Sequence, residues 1–200
     1  MAVTTEVIKE LREKTNAGVL ACRKALEETG GDIEKAVTLL KEQGMAAADK
    51  RADRATNNGV LDLYNHGDGR VGVMVEVNCE TDFVARTEEF RNFAHEIALQ
   101  IAAGSPRWLS ADDVPEDVLE EERAIAKKRA ENDGKPEKVI PRIVEGRIDK
   151  FLDENCLLRQ SYIRDDSKTI EEMLKETIAS TGENITIRRF ERWTLGEELD

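Results

Sequence analysis

Apolar residues recur at three- and four-residue intervals through the N-terminal part of the chain, the spacing that lines one face of a helix. Val7, Ile8 and Leu11 make one stripe, ended by Asn16-Ala17-Gly18. Val19, Cys22, Ala25 and Leu26 make a second, ended by Gly30-Gly31. Asp32 suits the N-cap of a third, in which Ile33, Ala36, Val37 and Leu40 repeat before Gly44. Three short helices with tight turns predict a compact bundle over residues 1–44. The next stretch, "MAAADKRADRAT", is Ala-rich and charged with no apolar stripe, and reads as a helical or extended linker over 45–58.

After Gly59 the period changes from helical to alternating. Val60 to Tyr64 is strand-like, Asn65-His66-Gly67-Asp68-Gly69 is dense turn chemistry, and Val71, Val73, Val75 and Val77 occupy every second position. This predicts a β-hairpin with a half-buried second strand. Helical spacing returns from Glu88 to Ala103, with Phe90, Phe93, Ala94, Ile97 and Ile101 inward and Gly104-Ser105-Pro106 as the stop. A charged helix is expected from Pro115 to Glu131 and another from Lys138 to Asn155, where Pro141 requires either a start or a bend. Gln160 to Ile163 reads as a short extended piece. Thr169-Ile170-Glu171-Glu172 has the form of a capping box opening a helix that closes at Thr181-Gly182. The closing "ENITIRRFERWTLGE" alternates and reads as a strand. The expected class is α+β: a helical bundle, then a small antiparallel sheet covered by helices over residues 59–200.

Composition narrows the function. The chain has 200 residues and a net charge of −12, with basic and acidic side chains balanced over residues 1–55 and the acidic excess downstream. Such a chain is poorly suited to nucleic acid or anionic membrane surfaces, which are held by Lys and Arg. Three scattered cysteines, Cys22, Cys79 and Cys156, form no CxxC pair and argue against a disulfide scaffold or zinc ribbon. A reduced, cytoplasmic setting is expected, with no leader peptide in "MAVTTEVIKELREKTNAG" and no segment of membrane-spanning length.

The usual chemistries find no support. Cys79 and His66 could be imagined as a nucleophile and base, yet no third group to orient them can be named, and His95 lies on the next helix. Asp112-Asp113 and Glu120-Glu121-Glu122 read as solvated faces rather than metal ligands, and no phosphate-cradling glycine motif occurs. No cofactor, metal or active site is expected. That leaves binding, and two features stand out. Val19 and Leu20 are adjacent apolar residues at a helix start, serving either the core or an exposed contact. Phe83 sits in a polar turn of a chain with only 4% aromatics. The residues alone favour its packing on Phe90 or Ala94; the alternative is a ring that projects outward.

Three long segments carry a resemblance. "ELREKTNAGVLACRKALEETGGDIEKAVTLL" looks like the N-terminal module of bacterial elongation factor Ts, a ubiquitin-associated-like three-helix bundle. "GVMVEVNCETDFVAR" is similar to that family's signature, and "KPEKVIPRIVEGRIDKFLDENCLLRQSYIRDDSKTIEEML" to its C-terminal core. The family is the guanine-nucleotide exchange factor for elongation factor Tu in translation. The resemblance implies that Thr81, Asp82, Phe83 and Val84 disturb the partner's magnesium site, with Phe83 as a wedge between helices. It implies that Arg12, Val19 and Leu20 of the N-terminal module grip the same partner domain. His66 is a weaker candidate, because a similar loop histidine touches the partner in longer relatives. The family often has Met-Met where this chain has Val19-Leu20, and an acid at the position of Ala21. Short members pair as homodimers, so a homodimer is expected here. Two rival functions remain in view: a protein-interaction adaptor without exchange activity, and an enzyme dependent on Cys79.

Overall fold

The computed structural model of the chain describes residues 3–15 and 17–198. Asn16, expected to help end the first helix, lies outside the described residues. The elements run α1 (Thr5–Thr15), α2 (Val19–Glu28), α3 (Ile33–Asp49), β1 (Asn58–His66), β2 (Val71–Cys79), α4 (Asp82–Ala85), α5 (Glu88–Gly104), α6 (Glu116–Asn132), α7 (Ile140–Asn155), β3 (Ser161–Tyr162), β4 (Asp165–Thr169), α8 (Ile170–Thr181) and β5 (Ile185–Thr194). The α+β class holds: a three-helix bundle precedes a three-stranded antiparallel sheet of order β1-β2-β5 and its accompanying helices.

The chain divides into two compact units. Met1–Asp62, Val75–His95 and Glu172–Arg188 form one; Leu63–Met74, Glu96–Glu171 and Arg189–Asp200 form the other. In the first, α1, α2 and α3 bury Leu11, Cys22, Ala25, Leu26, Ala36 and Leu40 together, with Val7, Ile8 and Ile33 packed against them. Gly30 and Gly31 adopt φ of 65° and 82°, the left-handed conformation that lets the chain reverse between α2 and α3. Asp32 then caps α3 by accepting from the Lys35 N–H at 3.1 Å.

Gly44 does not end α3, which continues to Asp49. The glycine serves packing instead: a Cβ at Gly44 would lie 3.0 Å from Ala179 Cβ on α8. Ion pairs from Lys41 to Glu172 at 3.3 Å and from Lys175 to Asp49 at 3.2 Å flank that contact. The helix outlasts its apolar stripe because α8 supports its last turns.

β1 starts two residues earlier than its apolar run. It carries Gly59, where a Cβ would overlap the Val77 carbonyl oxygen. Val73, Val75 and Val77 are buried as their alternation predicts. In the hairpin turn Gly67, Asp68 and Gly69 all have positive φ, which accounts for the concentration of turn residues there. The expected inward stripe of α5 is buried throughout, from Phe90 to Ile101.

In the second unit, α6 and α7 pack on each other. Val114, Leu152 and Cys156 form a buried cluster with Trp108, Ile148 and Phe151 against it. Pro141 sits in the first turn of α7, so the helix starts there and does not bend. The extended piece near Gln160 is β3, paired antiparallel with β4, a polar strand that has no apolar signature.

Candidate functional site

The turn after β2 is built almost entirely from polar contacts. Thr81 is extended, with φ −125° and ψ 156°, and caps α4 by accepting from the Val84 N–H at 3.4 Å. α4 is a single turn, from Asp82 to Ala85. Thr87 links it to α5: its hydroxyl donates to the Val84 carbonyl at 2.8 Å and accepts from the Phe90 N–H at 3.2 Å.

The same turn is tied to the segment that follows α8. The Thr81 N–H donates to Glu183 Oε2 at 3.0 Å, and the Thr81 hydroxyl to Glu183 Oε1 at 2.6 Å. In return, the Asn184 N–H donates to Glu80 Oε1 at 2.7 Å, and Arg54 reaches the same oxygen at 3.3 Å. Asn184 is buried, and its amide donates to the carbonyls of Ala52 at 3.1 Å and Arg54 at 2.8 Å. Asn58 donates to the Glu80 carbonyl at 2.8 Å. The Asn184 N–H, followed by Arg54, holds the Glu80 carboxyl below its ordinary range.

On this support Phe83 is 80% exposed. The reading in which it packs on Phe90 or Ala94 is corrected. Successive helical residues are turned by about 100°, so Phe83 and Ala85 face nearly opposite ways. Ala85 takes the buried side and Phe83 is left outward. Burying a Phe side chain is worth about 1.5–3 kcal/mol, and this turn leaves that gain unrealised. Asp82 pairs with Arg86 at 2.8 Å, with the Arg86 side chain largely open to solvent and that of Asp82 half-buried.

The other candidates divide by unit. Val19 and Leu20 open α2 at 52% and 75% exposure, so neither is taken up by the bundle core. Gly18, the N-cap, provides no side-chain cap there. Arg12 is exposed on α1. These residues and Thr81–Val84 belong to the first unit, and His66 to the second. His66 closes β1, with Nδ1 2.9 Å from the Tyr64 hydroxyl.

Cys79 is fully buried. Its thiol donates to the Thr81 carbonyl at 3.1 Å, and burial, followed by the nearby Glu183 carboxylate, pushes its pKa up. A buried thiol favoured in its protonated form is a poor nucleophile. Among the described residues, no group of three or more His, Cys, Asp or Glu side chains is placed to hold a metal ion, and no helix is long and apolar enough to cross a membrane. Sequence reasoning missed Glu80, Glu183 and Asn184, which hold the turn. Their partners lie about a hundred positions away in the chain, and no local pattern marks them.

Comparison with known proteins shows the family. The family model described as Elongation factor TS matches residues 2–197. The chain is 57% identical over 198 residues to "Elongation factor Ts" of Thermoanaerobacter sp. (strain X514), covering 99% of this chain and 97% of that one. It is 55% identical over 197 residues to the protein of the same name from Coprothermobacter proteolyticus, covering 98% and 100%. With the one from Thermotoga neapolitana it shares 53% identity over 198 residues, covering 99% and 100%.

Proposed function

The chain belongs to the elongation factor Ts family, and from that premise we propose that it binds elongation factor Tu carrying GDP and promotes GDP release for exchange with GTP. As a family member it is an exchange factor with no active site of its own, acting in translation. Thr81, Asp82, Phe83 and Val84 form the element that disturbs the partner's magnesium site, with Phe83 as the wedge. The observation that carries this reading is the 80% exposure of Phe83 on a turn fixed from below. The bundle, residues 1–44, is the gripping module, joined through 45–58 to a core over 59–200. Arg12, Val19 and Leu20 supply its contacts, and His66 adds a lesser one.

An exchange factor need not touch the nucleotide. It must bind the nucleotide-free partner more tightly than the nucleotide-bound one, and the weakening is reciprocal. Each tenfold loss of nucleotide affinity requires about 1.4 kcal/mol of differential binding. Burying Phe83 in the partner contributes about 1.5–3 kcal/mol, or roughly one to two decades. The remainder falls to Asp82 and the bundle. Mg²⁺ demands near-ideal octahedral geometry, so a carboxylate brought close disturbs its water shell or draws off a basic residue.

A second copy of the chain is the other partner. Leu63, Met74, Trp193 and Leu195 of the second unit are exposed apolar side chains, and a homodimer would cover them. Sedimentation velocity on the protein and on Trp193→Ser tests this: a dimer weakened by the substitution supports it, and a monomeric wild type sinks it. The proposed setting is the cytoplasm.

The deciding experiment is release of a fluorescent GDP analogue from purified elongation factor Tu, with this protein, with Phe83→Ala and with neither. Fast release that drops in the variant supports exchange and the wedge. Fast release that survives the substitution keeps exchange and removes the wedge. Binding without acceleration makes the protein an adaptor.

A further inference from the structure

Phe83 projects from a helix of one turn, too short to hold itself. Its ring, being exposed, does not anchor it either. Beside the buried Ala85 and the Thr87 link to α5, the turn has a further support beneath it.

Two dipeptides meet there. Glu183 receives both Thr81 donors, and Glu80 receives the Asn184 N–H. Each dipeptide offers a carboxylate to the backbone of the other, so they close as a reciprocal clasp. Hydrogen bonds to charged acceptors are the stronger kind. The Asn184 side chain extends the clasp to the carbonyls of Ala52 and Arg54, just beyond α3. Thr81, the residue clasped, is also the N-cap of the wedge helix. Its hydroxyl donates to Glu183 and accepts from the Val84 N–H, which uses its single donor and one lone pair.

We propose that Glu183 is a positioning residue for the wedge: it holds Thr81, and through the Thr81 cap it sets the direction of Phe83 before the partner arrives. The proposal rests on the reading of Phe83 as a wedge. Without Glu183 the turn samples several conformers, and only a fraction of them can engage. Apparent affinity falls by that fraction, while the engaged complex is unchanged. The half-saturating concentration of the factor therefore rises and the maximal release rate stays the same. Removing the ring itself lowers the maximal rate.

The test measures GDP-analogue release from elongation factor Tu against factor concentration for wild type, Glu183→Gln, Glu183→Ala, Phe83→Ala and the double variant Glu183→Ala/Phe83→Ala. Glu183→Ala should raise half-saturation about ten- to thirtyfold, and Glu183→Gln, which keeps one acceptor, by less. Both should leave the plateau unchanged. In the Phe83→Ala background, Glu183→Ala should have little further effect, since it acts through the ring. Amide hydrogen exchange on the free protein should show Thr81 losing protection in Glu183→Ala while Leu11 and Leu26 keep theirs, which separates loss of the clasp from loss of the fold. Unchanged half-saturation, a plateau that falls in parallel, or a full additional loss in the double variant would each overturn the clasp while leaving the exchange reading intact. A wild type that accelerates nothing overturns both.

Discussion

Phe83 and Ala85 stand two residues apart on one helical turn and meet opposite surroundings: Ala85 is 6% exposed and Phe83 is 80% exposed. The fold therefore depends on the small residue and not on the large one. Phe83→Ala should change unfolding free energy by no more than about 0.5 kcal/mol, as expected for a surface position. It should cost roughly one to two decades of exchange activity. Ala85→Leu should do the reverse at the level of the fold, because extra methylenes in a packed position cost about 1–3 kcal/mol. Urea denaturation of both variants, run beside nucleotide release, tests the contrast. A Phe83→Ala protein that unfolds much more easily would show that the ring supports the core after all.

Asp82 is expected to act by charge. Its pair with Arg86 is exposed and worth about 0–1 kcal/mol, so it is readily exchanged for a contact in the complex. Asp82→Asn keeps the shape of the side chain and the length of the helix. It should slow exchange while leaving complex formation mostly intact. Titration calorimetry with nucleotide-free elongation factor Tu, alongside release kinetics, separates the two. Normal exchange by the variant would make the charge irrelevant.

The main architecture was legible because apolar periodicity states it directly: Leu11, Cys22, Ala25, Leu26, Ala36 and Leu40 of the bundle stripes, Val73, Val75 and Val77 of β2 and the inward face of α5 are buried as their spacing requires, whereas Val19, at the head of the second stripe, is exposed. The end of α3 was not legible, since Gly44 obeys a stop rule locally and a packing constraint from Ala179 globally. β4, "DDSKT", carries no apolar residue to announce a strand. The direction of Phe83 was open in its own segment, where a short polar turn allows a ring to point either way. Similarity to the family suggested outward. The contacts that hold its turn lie at Glu183 and Asn184, about a hundred residues on, where no local reading could find them.

The clasp should respond to acid in a defined direction. Glu80 has a folded pKa below its ordinary value of 4.5, chiefly because its carboxylate accepts from the Asn184 N–H. A group with a depressed folded pKa contributes stability above its unfolded pKa and loses it as pH falls through the folded value. The Glu80 half of the clasp is therefore at full strength at neutral pH and weakens as pH falls through that depressed folded value. A carbon-detected titration of the Glu80 carboxyl should show a midpoint under 4.5, shifted upward in Asn184→Pro, which has no N–H to donate. A midpoint at or above 4.5 in the wild type would mean that the Asn184 contact does not persist in solution.

Val19 and Leu20 offer the corresponding test on the bundle. Both open α2, both are exposed, and the buried residues of that helix are Cys22, Ala25 and Leu26. Replacing the pair by Ser should therefore leave the bundle folded, with stability within about 1 kcal/mol of wild type. Two apolar side chains that become buried in a complex are worth about 1.5–3 kcal/mol each when burial is complete. Partial burial and the cost of ordering reduce this, so the double variant should bind elongation factor Tu about ten- to a hundredfold more weakly. On the proposed reading, in which this pair grips and does not wedge, the loss should appear in half-saturation, with the maximal release rate retained. A variant that reaches half-saturation at the wild-type concentration would free Val19 and Leu20 from any contact with the partner. One that lowers the plateau would place them in the exchange step beside Phe83.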